Sequence, residues 1–281
     1  MTTAAASFDK GIVGDTDVLY RTPGVAEPLD DLQAVSSTAI EHYRAEGFLA
    51  IRSGVTPSAV ADLMAGLASL ARPDSPADIQ YEKWAEDRFD QLSPDERLDA
   101  TRKYMSFARH DARLEAVAHD PGIMRVVTML LGGEPRLFQE MALIKPPGGG
   151  REKPWHQDNA YFHLVPGTPI VGVWIALDEA TLDNGCMRVI PGSHREGPVR
   201  HAFLRDLQIC DGEVSIDRGV AVPLPPGGLL LFDGLLQHGT PTNFTRTRRR
   251  ALQFHYTVDS AVSTSDDEHR ATFGWVDGAE C

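Results

Sequence analysis

The tripeptide His156-Gln157-Asp158 is answered by His238, 82 residues after His156. Two imidazoles and one carboxylate form the ligand set that holds mononuclear iron(II) on one face and leaves the opposite positions open. In an extended strand, residues two apart project to the same side, so His156 and Asp158 can meet one metal across roughly 6–7 Å of strand. The third donor must come from a distant strand that returns beside the first. The spacing therefore asks for a closed or double-sheet β structure. An H-x-D tripeptide arises easily by chance in a chain with ten histidines, so its surroundings matter.

Those surroundings read as strands. Leu137–Lys145 is β-prone and ends in the turn Pro146-Pro147-Gly148-Gly149-Gly150; further segments cover Pro169–Asp178, Asn184–His194, Gly228–Asp233 and Arg249–Tyr256. Short strands separated by Gly, Pro and Asn turns indicate an all-β sandwich or barrel. Gly148 to Gly150 precede a strand and open no helix, so they form no phosphate cradle.

Taken as an ordered set, these motifs resemble the phytanoyl-CoA dioxygenase family of iron(II) and 2-oxoglutarate-dependent oxygenases. The set comprises H-x-D at 156–158, a Trp on the following strand, N-G-C-x-x-x-x-P-G-S-H at 184–194, H-G-T-x-x-N at 238–243, and Arg249. The likeness is close over residues 137–258 and loose over the N-terminal part. It implies a double-stranded β-helix (jelly-roll, cupin-like) core with N-terminal helices packed on the larger sheet. It also implies O2-dependent oxidation of a small molecule, most simply hydroxylation of a C–H bond, coupled to conversion of 2-oxoglutarate to succinate and CO2. His156, Asp158 and His238 are then the metal ligands and catalytic centre. Because Asp158 is retained, the chain differs from related halogenases, which replace that carboxylate with a small residue.

The far carboxylate of 2-oxoglutarate needs a buried cation, and the planar fork of Arg suits it better than Lys. Period two groups Arg249 with Ala251, Gln253 and His255 on a polar, small face, and Arg250 with Leu252, Phe254 and Tyr256 on a packing face. Arg249 is the interior candidate, and it also holds the family position eleven residues after the distal His. The resemblance adds Thr240, Trp174, Met141 and Lys103 to the cosubstrate pocket. On the strand 169–178, Val171, Val173, Ile175 and Leu177 form a packing face, while Ile170, Gly172, Trp174 and Ala176 form the other. Trp174 serves there either as pocket wall or as core. Gln157 and His194 are assigned to structure, and His255 to a supporting role beside the metal.

Tyr161 and His163 follow the metal motif closely enough to overhang the centre as substrate contacts. The stretch 195–218, with Arg200 and His201, has few strand signals and reads either as a lid or as a passive surface excursion.

The chain of 281 residues is long enough for a single domain: a mainly helical part over 1–135 and a β core over 136–260. Helix starts are marked by Thr56-Pro57, Ser93-Pro94-Asp95-Glu96 and Asp120-Pro121, and Gly132-Gly133 marks a stop. A net charge of −13 argues against a phosphate-backbone partner, and no nucleic acid is expected. Arg246, Arg248, Arg249 and Arg250 form a basic island suited to a small anion, or, for Arg246 and Arg248, a solvated turn. No apolar run approaches a membrane span, and the first residues lack a signal-peptide pattern, so a cytoplasmic protein is expected. Three widely spaced cysteines argue against structural disulfides and place Cys186 in the core. The oligomeric state is open. No basic and aromatic site for the nucleotide of coenzyme A stands out, so phytanoyl-CoA itself is not indicated. Two other functions use the same donors: a metal-bound β-sandwich that binds a small molecule without turnover, and a zinc hydrolase.

Overall fold

The computed structural model of the chain describes residues 16–277 and 281. Two sheets face each other. The larger has eight strands, in spatial order Leu29–Asp31, Phe48–Ser53, Leu229–Asp233, Ile170–Ala176, Arg249–Val258, Pro135–Lys145, Thr101–Met105 and Asp78–Tyr81. The smaller has five: Gly24–Val25, Val220–Val222, Met187–Val189, His238–Thr240 and Lys153–His156. This is the expected jelly roll.

Alternation decides which residues meet between the sheets. Trp174, Ala176, Leu230, Phe232 and Ala251 of the larger sheet pack against Cys186, Met187, Val189, Ala221 and Val222. The opposite residues of the same strands, Val171, Val173, Ile175, Leu252, Phe254 and Tyr256, pack under the helices Pro57–Leu70, Ala112–Ala118 and Pro121–Leu131 through Leu63, Leu67, Leu114, Val126 and Val127. The helices begin where the caps predict. Thr56, Ser93 and Asp120 each accept from first-turn amides, Ser93 with Glu96 closes a capping box, and Gly132 ends its helix at φ 69°.

The N-terminal part carries the helices and, between them, short strands. It contributes four strands to the larger sheet and one to the smaller. One of these runs through Phe48-Leu49-Ala50-Ile51, where all four residues are buried. Phe48 and Ala50 face the inner core while Leu49 and Ile51 face the helices, so a strand buried on both sides shows no polar alternation.

One glycine is dictated by the site. A Cβ on Gly172 would lie 2.5 Å from the Phe232 ring, and that ring packs 4.8 Å from the ring of His238.

The stretch 195–218 is a built element rather than an open excursion. His201–Phe203 and Leu207–Ile209 form an antiparallel hairpin, and Gly274–Asp277 pairs parallel to its first strand. Cys210 and Cys281 form a disulfide with Cα atoms 5.5 Å apart. This corrects the expectation of no disulfide. The partners are 71 residues apart, and nothing in their spacing shows that the last strand returns to the hairpin. Cys186 is buried and free.

Candidate active site

His156 ends its strand directly opposite His238 in the antiparallel register. Gln157 keeps an extended backbone, φ −113° and ψ 133°, before Asp158 opens a short 3-10 turn. Asp158 therefore projects to the side of His156 although it lies just beyond the strand. One nitrogen from each imidazole and one Asp158 oxygen lie within 4.8 Å of one another, all in buried side chains. Each ring is fixed from behind: His156 Nδ1 donates to the Pro154 carbonyl at 2.7 Å and His238 Nδ1 to the Leu236 carbonyl at 2.9 Å. Both Nε2 lone pairs consequently face inward, as metal ligation requires.

Electrostatics agree with that role. Burial, reinforced by His238, pulls His156 down to about 4, and burial also lowers His238. Both rings are neutral donors at neutral pH. Burial opposes ionisation of Asp158, but the surrounding histidines and their hydrogen bonds hold its carboxyl well below the usual range. Asp158 Oδ1 lies 3.3 Å from His156 Nε2 and 3.7 Å from His238 Nε2. Two neutral nitrogens and an ionised oxygen facing one point fit a divalent cation of the iron(II) class.

The cavity beside this triad is lined by Arg249, Thr240, Trp174, Met141 and Lys103, so the predicted cosubstrate residues converge. The period-two assignment of the arginines holds. Arg249 is 2 % exposed and stands 5.5 Å over the Trp174 ring, whereas Arg250 turns away to pair with Asp178 at 2.7 Å. Arg249 Nε and Nη1, Thr240 Oγ1 and Trp174 Nε1 are buried without hydrogen-bond partners. Orphaned groups of this kind are costly unless a ligand satisfies them. Burial draws the Arg249 guanidinium down to about 10, still charged at neutral pH. A carboxylate-bearing cosubstrate fits this set.

The predicted substrate contacts divide. Tyr161 lines the cavity, accepting from Lys153 Nζ at 2.7 Å and donating to the Leu207 carbonyl at 2.6 Å. His163, Arg200 and His201 are outside the cavity wall, which corrects their assignment. His163 stacks on His269 at 4.3 Å and lies 3.2 Å from Asp266. Arg200 is exposed. His201 is fully buried: its Nε2 accepts from the Gln157 amide at 3.0 Å and its Nδ1 donates to the Val199 carbonyl at 2.8 Å. It supports the residue between two metal ligands. Gln157 itself points away from the metal, bonding the Gly197 and Leu235 carbonyls and the Val199 amide.

Lys153 is a cavity residue that sequence reading missed. Strict alternation places it opposite to His156, but a register shift between His238 and Thr240 pairs Thr240 with Lys153. Such a bulge re-aims the side chain. Lys153 is held by Asp206 at 2.7 Å, and its neighbour Glu152 by Arg205 at 2.5 Å. Two consecutive cavity residues are thus clasped by two consecutive residues of the hairpin. Arg248 is taken up by Asp95 and Asp99 on the surface.

With the geometry in place, sequence comparison gives the lineage. The family profile described as Phytanoyl-CoA dioxygenase (PhyH) matches residues 43–251. The chain belongs to that family. PhyH proteins are non-haem iron, 2-oxoglutarate-dependent dioxygenases, and the donor set and orphaned Arg249 pocket suit both groups. Phytanoyl-CoA dioxygenase domain-containing protein 1 of Rattus norvegicus is 33% identical over 154 residues, 52% of this chain and 53% of the relative. The phytanoyl-CoA dioxygenase of Arabidopsis thaliana is 33% identical over 155 residues, 52% of this chain and 50% of its own. The chain thus spans about half the length of the curated relatives it matches. Among solved structures, EvdO2 from Micromonospora carbonacea var. aurantiaca, complexed with 2-oxoglutarate, shares the fold at a TM-score of 0.66 and 23% identity, over 86% of this chain and 98% of that one. Among the described residues, no helix is long and apolar enough to cross a membrane.

Proposed function

We propose that this PhyH protein hydroxylates a C–H bond of a small organic molecule held in the cavity beside His156, Asp158 and His238. The balance is one C–H bond, one O2 and one 2-oxoglutarate giving one alcohol, one succinate and one CO2. Iron(II) held by the triad, together with 2-oxoglutarate, supplies O2-dependent oxidation coupled to that decarboxylation. Arg249 and Thr240 bind the far carboxylate of the cosubstrate, and Trp174 closes the wall beneath it. Met141 and Lys103 complete the cosubstrate side, while Tyr161 and Lys153 border the space left for substrate.

The observation that carries this reading is the pairing of an open three-donor centre with a buried guanidinium that has two nitrogens without hydrogen-bond partners, in one cavity. A zinc hydrolase has no need of the second feature, and a binding protein without turnover would release no succinate. Purified protein given iron(II), 2-oxoglutarate and air is expected to release succinate. The release should stop without O2 and in Asp158→Ala protein. Succinate production unaffected by either change would refute the proposal.

A further inference from the structure

The two oxygens of Asp158 have different company. Oδ1 faces both ligand nitrogens, at 3.3 Å from His156 Nε2 and 3.7 Å from His238 Nε2. Oδ2 faces the other way, 2.7 Å from His255 Nε2 and 3.1 Å from Gln253 Nε2. His255 Nε2 is placed to donate to Oδ2, and the Gln253 amide nitrogen lies 3.1 Å from both atoms. Gln139 closes the far side of the ring, its Oε1 2.5 Å from Nδ1. His255 is fully buried, with Phe162 and Phe232 around it at 4.9 and 6.3 Å. The ring thus has little room to turn.

We propose that His255, keyed by Gln139, is a positioning residue that occupies Oδ2 so that Asp158 meets the metal through Oδ1 alone. A carboxylate free to use both oxygens would take a second coordination position, one of those that cosubstrate and O2 need. The inference rests on the metal-centre reading above and adds a division of labour within its carboxylate. It has a second consequence. Gln139 and Gln253 both line the cavity, so a polar group of the substrate that engages either amide acts on the ligand carboxylate through one or two hydrogen bonds.

The test measures binding rather than turnover. Co(II) affinity and the number of exchangeable waters on bound Mn(II), read by water proton relaxation, are compared for wild-type, His255→Phe, His255→Gln and Gln139→Leu proteins. His255→Phe keeps the ring volume but loses the donor. It should weaken Co(II) binding roughly 10- to 100-fold, as loss of partners to metal ligands commonly does, and lower the count of exchangeable waters. His255→Gln retains a donor and should recover most of both. Thermal melting of metal-free protein checks the fold. Should His255→Phe fail to fold, Gln139→Leu carries the test, with a smaller loss in the same direction. Unchanged affinity and water count in the folded His255→Phe protein, or in Gln139→Leu where that variant carries the test, overturn the positioning role, as does a His255→Gln protein as impaired as His255→Phe. Wild-type protein that binds no Co(II) refutes the metal centre instead, so the two failures are distinct.

Discussion

The guanidinium of Arg249 stacks 5.5 Å over the ring of Trp174 while two of its nitrogens and the Trp174 Nε1 remain without hydrogen-bond partners. The pair is positioned by packing and left free to bind. Arg249→Ala should therefore raise the 2-oxoglutarate dissociation constant by about one to two decades, the loss of one charged hydrogen-bond partner at roughly 1.5–3 kcal/mol. Arg250→Ala, which breaks only the pair with Asp178, should leave that constant within a factor of a few. Isothermal titration with 2-oxoglutarate under anaerobic conditions decides between them.

Lys103 should make cosubstrate binding sensitive to alkali. Burial, helped by nearby Lys153, lowers it to about 8, so its charge is present at pH 7 and mostly gone at pH 9. An anion bound beside it favours the protonated form. Affinity for 2-oxoglutarate should fall as pH rises from 7 to 9, with proton uptake on binding near pH 8, and Lys103→Met should abolish both effects. Titrations in buffers of different ionisation enthalpy measure the uptake.

Acid should unfold the protein partly through His201. Burial lowers this ring to about 3 from its ordinary 6.5. Above pH 6.5 it is neutral folded or unfolded and contributes no pH dependence. Between 6.5 and 3 the unfolded chain binds a proton that the folded chain refuses, so stability falls as pH falls, by up to about 1.4 kcal/mol per unit. His201→Gln should reduce the loss of stability between pH 6.5 and 5 by about 2 kcal/mol, read from denaturant midpoints of metal-free protein. An equal loss in both proteins would show that His201 is not the sensitive group.

Gly172→Ala should damage the metal centre from behind. The added methyl meets the Phe232 ring, which packs against His238, and overpacking of this kind costs roughly 1–3 kcal/mol. Co(II) binding should weaken along with stability. Phe232→Leu in the same chain should restore part of both by vacating the space.

The sequence made much of this site legible because its key residues follow simple periods. His156 and Asp158 are two apart, and Arg249, Gln253 and His255 share a parity that alternation places on the inner face. Lys153 escaped because a bulge breaks the parity of its strand. His163 was misplaced because proximity along the chain to a metal ligand says nothing about direction in a turn, and Arg200 and His201 because a stretch with few strand signals does not show which of its side chains face the cavity. His201 points inward, but to the backbone of Gln157 rather than to the cavity. The hairpin over 201–209 and the Cys210–Cys281 pair depend on a strand from the end of the chain, and local pattern does not report such a long-range return. The N-terminal strand Phe48–Ser53 was hidden by burial on both faces.

The clasp between Glu152-Lys153 and Arg205-Asp206 also works as a ruler. Each two-residue word carries one negative and one positive charge, and the words match only in the observed alignment, Glu152 on Arg205 and Lys153 on Asp206. Sliding the hairpin one residue in one direction sets Glu152 against Asp206; sliding it the other way sets Lys153 against Arg205. Both errors bring like charges together in a half-buried site, where screening by salt is weak. The charge order therefore selects one alignment of the hairpin on the metal-bearing strand and penalises both of its nearest neighbours.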